Sequence, residues 1–451
     1  MNTANKRIII LGAGYGGLFL ATNVARYMKE KTGEIILVDK NPYHQLLQEI
    51  HLVAAGFRTA NDVKIPILGL IEGMNIKFTQ STVKQIRPDT NQVILESAKI
   101  HYDLLIICLG ASTKYFDIKG AEENSLPLRS ITDASLIYDR ISSIVNSKKK
   151  QSVVIVGGGA TGVSLGGALS DFINENRKSD SISVTIIEAL PTILSGWDKH
   201  LVMKVEEVLL EKGIRIIKRS PVAKVEKNAD GSDDDGNNDI FLSDDGKSKI
   251  QSSLTIWTAG IKGYNIPINP EVEKTKDGKI ILNEFCQIDR YPNVFSIGDI
   301  AAVRDDTGKL YPPLAQIAVR EAKYLSDLIP KHFGNEDTSA ASHPLSVDKK
   351  FEYTINVQLI SLGNDDYVGF INNHVISGNL AKLVEEFSQS AYIKTLKSGG
   401  RDVLNTSLYG DDTFSHILSG ITFAQFTFVK WLKNIAYYRR LMDPIVKDNS
   451  N

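Results

Sequence analysis

Cysteine is nearly absent: Cys108 and Cys286 are the only two in 451 residues. That excludes a disulfide scaffold. Their separation also excludes a CxxC or CxxxxC redox pair, and no metal-ligand spacing surrounds either. No run of 18 apolar residues is present, so a membrane-spanning helix is not expected. Neither sign of charge dominates, since 52 Lys and Arg face 53 Asp and Glu for a net charge of −1. No global basic field therefore points to nucleic acid. What remains is ordinary for a globular enzyme: 42% hydrophobic and 23% charged residues, enough for a sizeable core. The length suggests about three domains.

Lys6-Arg7 before the apolar run Ile8 to Leu11 mimics a signal peptide. The run breaks at once into Gly12-Ala13-Gly14-Tyr15-Gly16-Gly17. A strand followed by that glycine pattern reads as a nucleotide-binding turn, and the chain is expected to stay in the cytoplasm.

Two stretches repeat one another. KRIIILGAGYGG leads to EIILVDKNP, and QSVVIVGGGATG leads to VTIIEALP. Each copy is an apolar strand, a GxGxxG turn, a helix-length stretch and a second apolar strand ending in an acid. The glycines are Gly12, Gly14 and Gly17, then Gly157, Gly159 and Gly162; the acids are Asp39 and Glu188. The first glycine permits the tight turn. The second lets the backbone approach a pyrophosphate, and the third lets helix pack on strand. The phosphates meet the positive end of the helix, and the acid accepts hydrogen bonds from ribose hydroxyls. One such motif is often only a turn. Two copies, each in its strand–turn–helix setting, indicate two dinucleotide sites in separate domains. Glu188 would repel a 2′-phosphate, so NADH is expected there rather than NADPH.

Tyr102 to Ser112 and Leu254 to Gly260 read as buried strands ending in small-residue turns. Cys286 lies in a strand-like stretch. Asn293 to Asp299 reads as a strand ending in Gly-Asp, where Asp299 suits a flavin's ribityl chain or, alternatively, caps the next helix. The acidic stretch Asn228 to Asp245 reads as a hairpin tip. Asn335 to Asp348 reads as a domain boundary, followed by strands at Tyr353 to Leu362, Tyr367 to Ile371 and His374 to Ile376, then helices.

These residues carry a family likeness. The chain resembles the type II NADH:quinone oxidoreductases, a branch of the two-dinucleotide flavoprotein reductases. GAGYGG with Asp39, NPYHQLLQEIHLVAAG from Asn41 to Gly56, YDLLIICLGAST, TIWTAGIKG, NVFSIGDIAA and LAQIAVREAKYL carry it. The resemblance implies an α/β fold with two Rossmann-like domains and a C-terminal α+β, membrane-associating segment. An FAD domain would span 1–113 and 280–335. An NADH domain would be inserted at 114–279, and a C-terminal domain would span 336–451. It also implies that a hydride passes from NADH to FAD and two electrons pass on to a membrane quinone. Ala111, Asp299, Ala315, Gln316 and Gly260 would join the motif glycines and acids around the cofactors. Ala315, Gln316 and Ala318 match the family's quinone-site motif.

Three positions depart from the family. Ser164 and Ala168 stand where the second glycine motif usually continues to glutamates, and Arg320 replaces a glutamine. The resemblance puts Ser164, Gln316 and Arg320 at the catalytic end of the flavin. Serine cannot take part in proton uptake as a carboxylate can, whereas arginine's fixed charge can stabilise a reduced, anionic quinone or flavin.

Thr413 to Met442 contains no acidic residue. At helical spacing over 421–442, Phe428, Trp431, Leu432, Ile435, Tyr438 and Met442 share one face, opposite Lys430, Lys433 and Arg440. That pattern suits a helix lying in a bilayer interface. With the resemblance, it implies peripheral attachment to the cytoplasmic side of a cell membrane. The alternatives are a soluble reductase of a small redox protein, a sulfide:quinone oxidoreductase-like enzyme, and a flavin-binding protein without turnover. The sequence does not decide whether the chain forms a homodimer.

Overall fold

The computed structural model describes residues 6–27, 33–228, 237–243, 248–333, 350–355, 357–371 and 374–398. The boundary segment from Asn335 to Asp348, most of the acidic hairpin tip and the 421–442 helix lie outside these residues.

Two parallel sheets organise the chain. In the first, the strand order is Gln287–Ile288, Tyr291–Ser296, Leu104–Ile107, Lys6–Leu11, Gly33–Asp39 and Ile76–Gln80. All pairs are parallel except the short Gln287–Ile288 edge. Such a sheet is covered on both faces, so its central strands are apolar throughout rather than alternating. Ile8 to Leu11 and Leu104 to Ile107 are fully buried. The second sheet runs Leu126–Pro127, Leu254–Trp257, Gln151–Val156, Ile182–Ile187 and Arg215–Ile217, parallel throughout. The fold is thus α/β with two Rossmann-like sheets. The Tyr291–Ser296 strand pairs with Leu104–Ile107 after the whole second sheet has been traversed. The chain crosses between the sheets where Ala111–Thr113 pairs antiparallel with Ile261–Gly263.

Val222–Lys227 and Asn238–Leu242 pair antiparallel, forming the flanks of the acidic hairpin. After residue 350 come three antiparallel strands, Val357–Ser361, Tyr367–Ile371 and His374–Ser377, then the helix Asn379–Lys397. The first begins four residues later than its apolar pattern suggests; Tyr353 instead meets the Arg320 guanidinium and hydrogen-bonds Tyr311 and Gln316. Cys286 is not in a strand. It holds φ +61° in a turn that the Asn283 side chain organises by accepting from the Phe285 and Gln287 N–H groups.

The C-terminal strands dock on the helix Ala160–Glu175. A methyl group at Gly167 would collide with the carbonyl of Leu362, so a small residue is required there. Lys212 clamps the same hairpin by reaching both Asp171 and Asp366. His51 Nε2 meets Ser361 Oγ at 3.0 Å from the other side.

Candidate functional site

The two glycine turns have the same construction. Gly12 and Gly157 adopt φ +101° and +113°, a region closed to ordinary side chains. A methyl group at Gly17 would strike the Gly12 carbonyl, and one at Gly162 would strike the Gly157 carbonyl. The middle glycines, Gly14 and Gly159, face open space within 4 Å. A phosphate can therefore approach the backbone there, at the N-termini of the Tyr15–Tyr27 and Ala160–Glu175 helices.

The acids are held alike. Asp39 accepts from Ala13 N at 2.7 Å and Asn41 N at 2.8 Å. Glu188 accepts from Gly158 N at 2.7 Å and Leu190 N at 2.8 Å. Each carboxylate is aimed across its turn, with lone pairs left for ribose hydroxyls. Burial raises the Asp39 pKa, while these backbone donors lower it.

The Asn41 to Gly56 stretch runs beneath the first turn. Its His44 is buried, with Nδ1 3.0 Å from the Ala13 carbonyl. A carbonyl only accepts, so Nδ1 carries the proton. Burial lowers the pKa of His44 to about 4, and does the same for His51.

Asp299 lies in the Gly298–Ile300 turn, 3.2 Å from Arg129 Nη2. Arg129 Nε is buried without a hydrogen-bond partner among the described residues. That leaves a donor beside Asp299 for a ligand. Gly298 N donates to Glu321 at 2.6 Å. Burial pushes this carboxyl up to about 8, so it is largely protonated at neutral pH. The open middle glycines, the fixed acids and this spare donor fit two dinucleotides, one with a flavin.

Between the two turns is a cavity of about 250 Å³. Tyr15, Ala160 and Ala315, the first residues of three helices, all line it. Three positive helix ends thus converge where electrons would accumulate. Its apolar wall includes Trp197, Val319, Val357, Leu359, Val384 and Tyr392. A second cavity of about 140 Å³ adjoins it and is lined by Ser164 and Thr161. Gln48, Ala160, Leu359, Glu385 and Gln389 belong to both walls.

Ala315 and Gln316 line the larger cavity, and Ser164 lines the smaller. Arg320 lines neither. Its guanidinium lies 4.7 Å from the centre of the Tyr353 ring, and the Tyr353 hydroxyl accepts from Gln316 Nε2. Arg320 thus meets the site through Tyr353. Ala111 and Gly260 lie at the crossing between the sheets, where a methyl group on Gly260 would meet the Phe116 ring. The sequence reading missed Tyr15, Trp197, Glu385, Gln389 and Tyr392. Tyr15 lay inside a motif already identified, but the other four carry no local signal.

Cys108 and Cys286 are both free thiols, and burial pushes both pKa values well up. Thiolate chemistry requires the opposite.

A family model described as pyridine nucleotide-disulphide oxidoreductase matches residues 6–322. The type II NADH:quinone oxidoreductase of Staphylococcus aureus (strain MSSA476) is 26% identical over 395 residues, covering 84% of this chain and 93% of that protein. The structure of NDH2 from Plasmodium falciparum in complex with NADH is similar with a TM-score of 0.74. It is 18% identical and covers 88% of this chain and 97% of that one. The sulfide:quinone oxidoreductase of Aquifex aeolicus is similar with a TM-score of 0.70 at 19% identity, covering 87% of this chain and 92% of that one. These structural likenesses concern the fold. Because the family match runs from the first strand into the Ala315–Phe333 helix and takes in both glycine turns, the chain belongs to the pyridine nucleotide-disulphide oxidoreductase family.

Proposed function

We propose that this protein is an FAD-dependent NADH:quinone oxidoreductase working at a membrane surface. The observation that carries the reading is the 250 Å³ cavity, set between two dinucleotide turns and walled by apolar side chains from the C-terminal strands and helix. Such a wall suits a flat apolar acceptor. The relatives named type II NADH:quinone oxidoreductase support the same reading.

FAD, when bound, supplies the two-electron relay between NADH and the acceptor. The protein's own residues hold and orient the reactants. Gly12, Gly14, Gly17 and Asp39 hold the adenosine and pyrophosphate of FAD, and Asp299 with Arg129 holds its sugar-alcohol chain. Gly157, Gly159, Gly162 and Glu188 hold NADH. Ala111 and Gly260, at the crossing between the sheets, line the cofactors. Ala315 and Gln316 face the reacting end, with Tyr353 and Arg320 fixing the Gln316 amide. Tyr15, Trp197 and Tyr392 shield the cavity from bulk water.

Attachment to the membrane is assigned to residues 421–442, with their apolar face in the lipid interface and their basic residues toward anionic headgroups. Among the described residues, no helix is long and apolar enough to cross a membrane. The cytoplasmic face is the side where NADH would be supplied. The sulfide:quinone alternative is disfavoured by its lack of a reactive thiol pair.

Anaerobic mixing tests the reading. The purified protein should carry one non-covalent FAD, bleach on addition of NADH and recolour on addition of a short-chain quinone. Recolouring by a small redox protein but not by quinone would transfer the assignment to a soluble reductase.

A further inference from the structure

The acceptor reaction proposed above needs a proton that NADH does not supply. Reducing a quinone to its quinol takes two electrons and two protons. The hydride of NADH carries two electrons and one proton. The second must come from solvent, through a group beside the acceptor. Ser164 lies at the cavity wall but has no proton to give near neutral pH.

The same wall carries a carboxyl group from a different element. Glu385, on the Asn379–Lys397 helix, lines the cavity that Ser164 lines and also the larger one. It therefore stands at the junction between the acceptor space and the smaller chamber. Resting on the acceptor reading, we propose that Glu385 delivers the second proton. Its carboxylic O–H breaks and the proton bonds to a quinone carbonyl oxygen. The carboxylate left behind takes a proton from water entering through the smaller cavity.

Three observations support the assignment. Gln389 Nε2 lies 3.5 Å from Glu385 Oε1 and also hydrogen-bonds Glu49, bringing two carboxyl groups to one amide. Gln48 Oε1, in both walls, is buried without a hydrogen-bond partner among the described residues. It is an acceptor suited to a carboxylic or quinol O–H. Finally, the Glu385 pKa is raised to about 7, by burial first and also by the Glu49 charge, against the lowering from its Gln389 hydrogen bond. A group with that affinity is protonated and still able to release its proton near neutral pH.

The surrounding groups leave this balance in place. On the Asn41 to Gly56 side they are Glu49, with Arg58 3.9 Å from it and Asp62 nearby, and neutral His51. On the hairpin, the Tyr367 phenol is pushed up to about 12 by burial, with Glu385 and Glu49 contributing. On its own helix are Glu386 and Lys382, the latter paired with Asp365. Arg58, the cation on this side, faces Glu49.

The test compares wild-type holoenzyme with Glu385→Gln, Glu385→Asp and the double variant Glu385→Gln/Ser164→Glu, using a short-chain ubiquinone. Reduction by NADH should be alike in wild type, Glu385→Gln and Glu385→Asp. In wild type, reoxidation should fall as pH rises past about 7. In Glu385→Gln it should be slowed on the order of a hundredfold and lose that break. Glu385→Asp should keep the break, and the double variant should regain one, because Ser164 faces the same cavity. Infrared difference spectra between wild type and Glu385→Gln, in which the Glu321 band common to both cancels, should show a protonated-carboxyl band at pH 5 that disappears by pH 9. Equal reoxidation rates and pH profiles in wild type and Glu385→Gln would overturn this assignment alone. A wild type that ubiquinone does not reoxidise would overturn the acceptor reading together with it.

Discussion

Tyr392 closes on Tyr15: their ring centroids lie 5.0 Å apart although 377 positions separate them in the chain. Tyr15 begins the helix of the first glycine turn, and His44 packs 5.0 Å from its ring on another side. The last described helix thus reaches back to the first glycine turn and completes the cavity wall.

Tyr392 is 2% exposed, so Tyr392→Ala leaves a void in a well-packed place. The expected loss is about 3–5 kcal/mol of stability. Thermal unfolding should shift down, and gel filtration should strip more flavin than from wild type. Tyr392→Phe should retain most of both. Wild-type melting in the alanine variant would show that the helix docks without this contact.

Glu188 accepts two backbone N–H groups and faces the second turn. Wild type should prefer NADH over NADPH. Glu188→Gln should narrow the ratio of kcat/KM values by about tenfold, a change of about 1.4 kcal/mol. NADH affinity should also weaken, because an amide cannot accept on both sides. Equal use of both nucleotides by wild type would remove the ribose role.

His44 and His51 are buried and neutral, with pKa values lowered to about 4 from the ordinary 6.5. A depressed folded-state pKa contributes stability above pH 6.5 that is lost as pH falls toward 4. Each is expected to withdraw up to about 3 kcal/mol across that window. Denaturant unfolding at pH 7.5, 5.5 and 4.5 should show the decline. His51→Gln should flatten it, and an unchanged slope would assign the acid sensitivity elsewhere.

Arg320 acts on the cavity through Tyr353, which Gln316 holds by its hydroxyl. A cation–π contact of this kind is worth about 0.5–1 kcal/mol. Arg320→Gln should therefore slow reoxidation by quinone about two- to fivefold and spare reduction by NADH. Arg320→Lys should recover most of the loss. Identical quinone rates in wild type and Arg320→Gln would discard the role.

Deleting the chain after Gly420 should leave reduction by NADH largely intact. Sedimentation with anionic lipid vesicles should show the truncated protein released, and turnover with long-chain quinones should drop. Unchanged vesicle binding would assign the apolar face of 421–442 to packing on its own domain.

The sequence by itself determined the two glycine turns and the α/β class. Both depend on local rules: glycine where φ is positive or backbones nearly touch, apolar runs where a parallel strand is covered on both faces. Gly12, Gly157, Asp39 and Glu188 could be named from spacing because their partners are set by one strand–turn–helix unit. The Asn41 to Gly56 stretch was visible as a resemblance, but its purpose was not. Only the fold shows Asn41, His44, Glu49 and His51 bracing four different neighbours. Tertiary structure alone decided the cavity. It joins Tyr15, Ala160 and Ala315 by bringing three helix ends together, and adds Glu385, Gln389 and Tyr392 from a helix whose buried face is chosen by docking. It also placed Arg320 against Tyr353 rather than in the cavity wall: Gln316 and Arg320, one helical turn apart on one face, both meet Tyr353, and that ring covers Arg320. Spacing along a chain specifies local turns, whereas contacts between distant segments depend on which faces pack together.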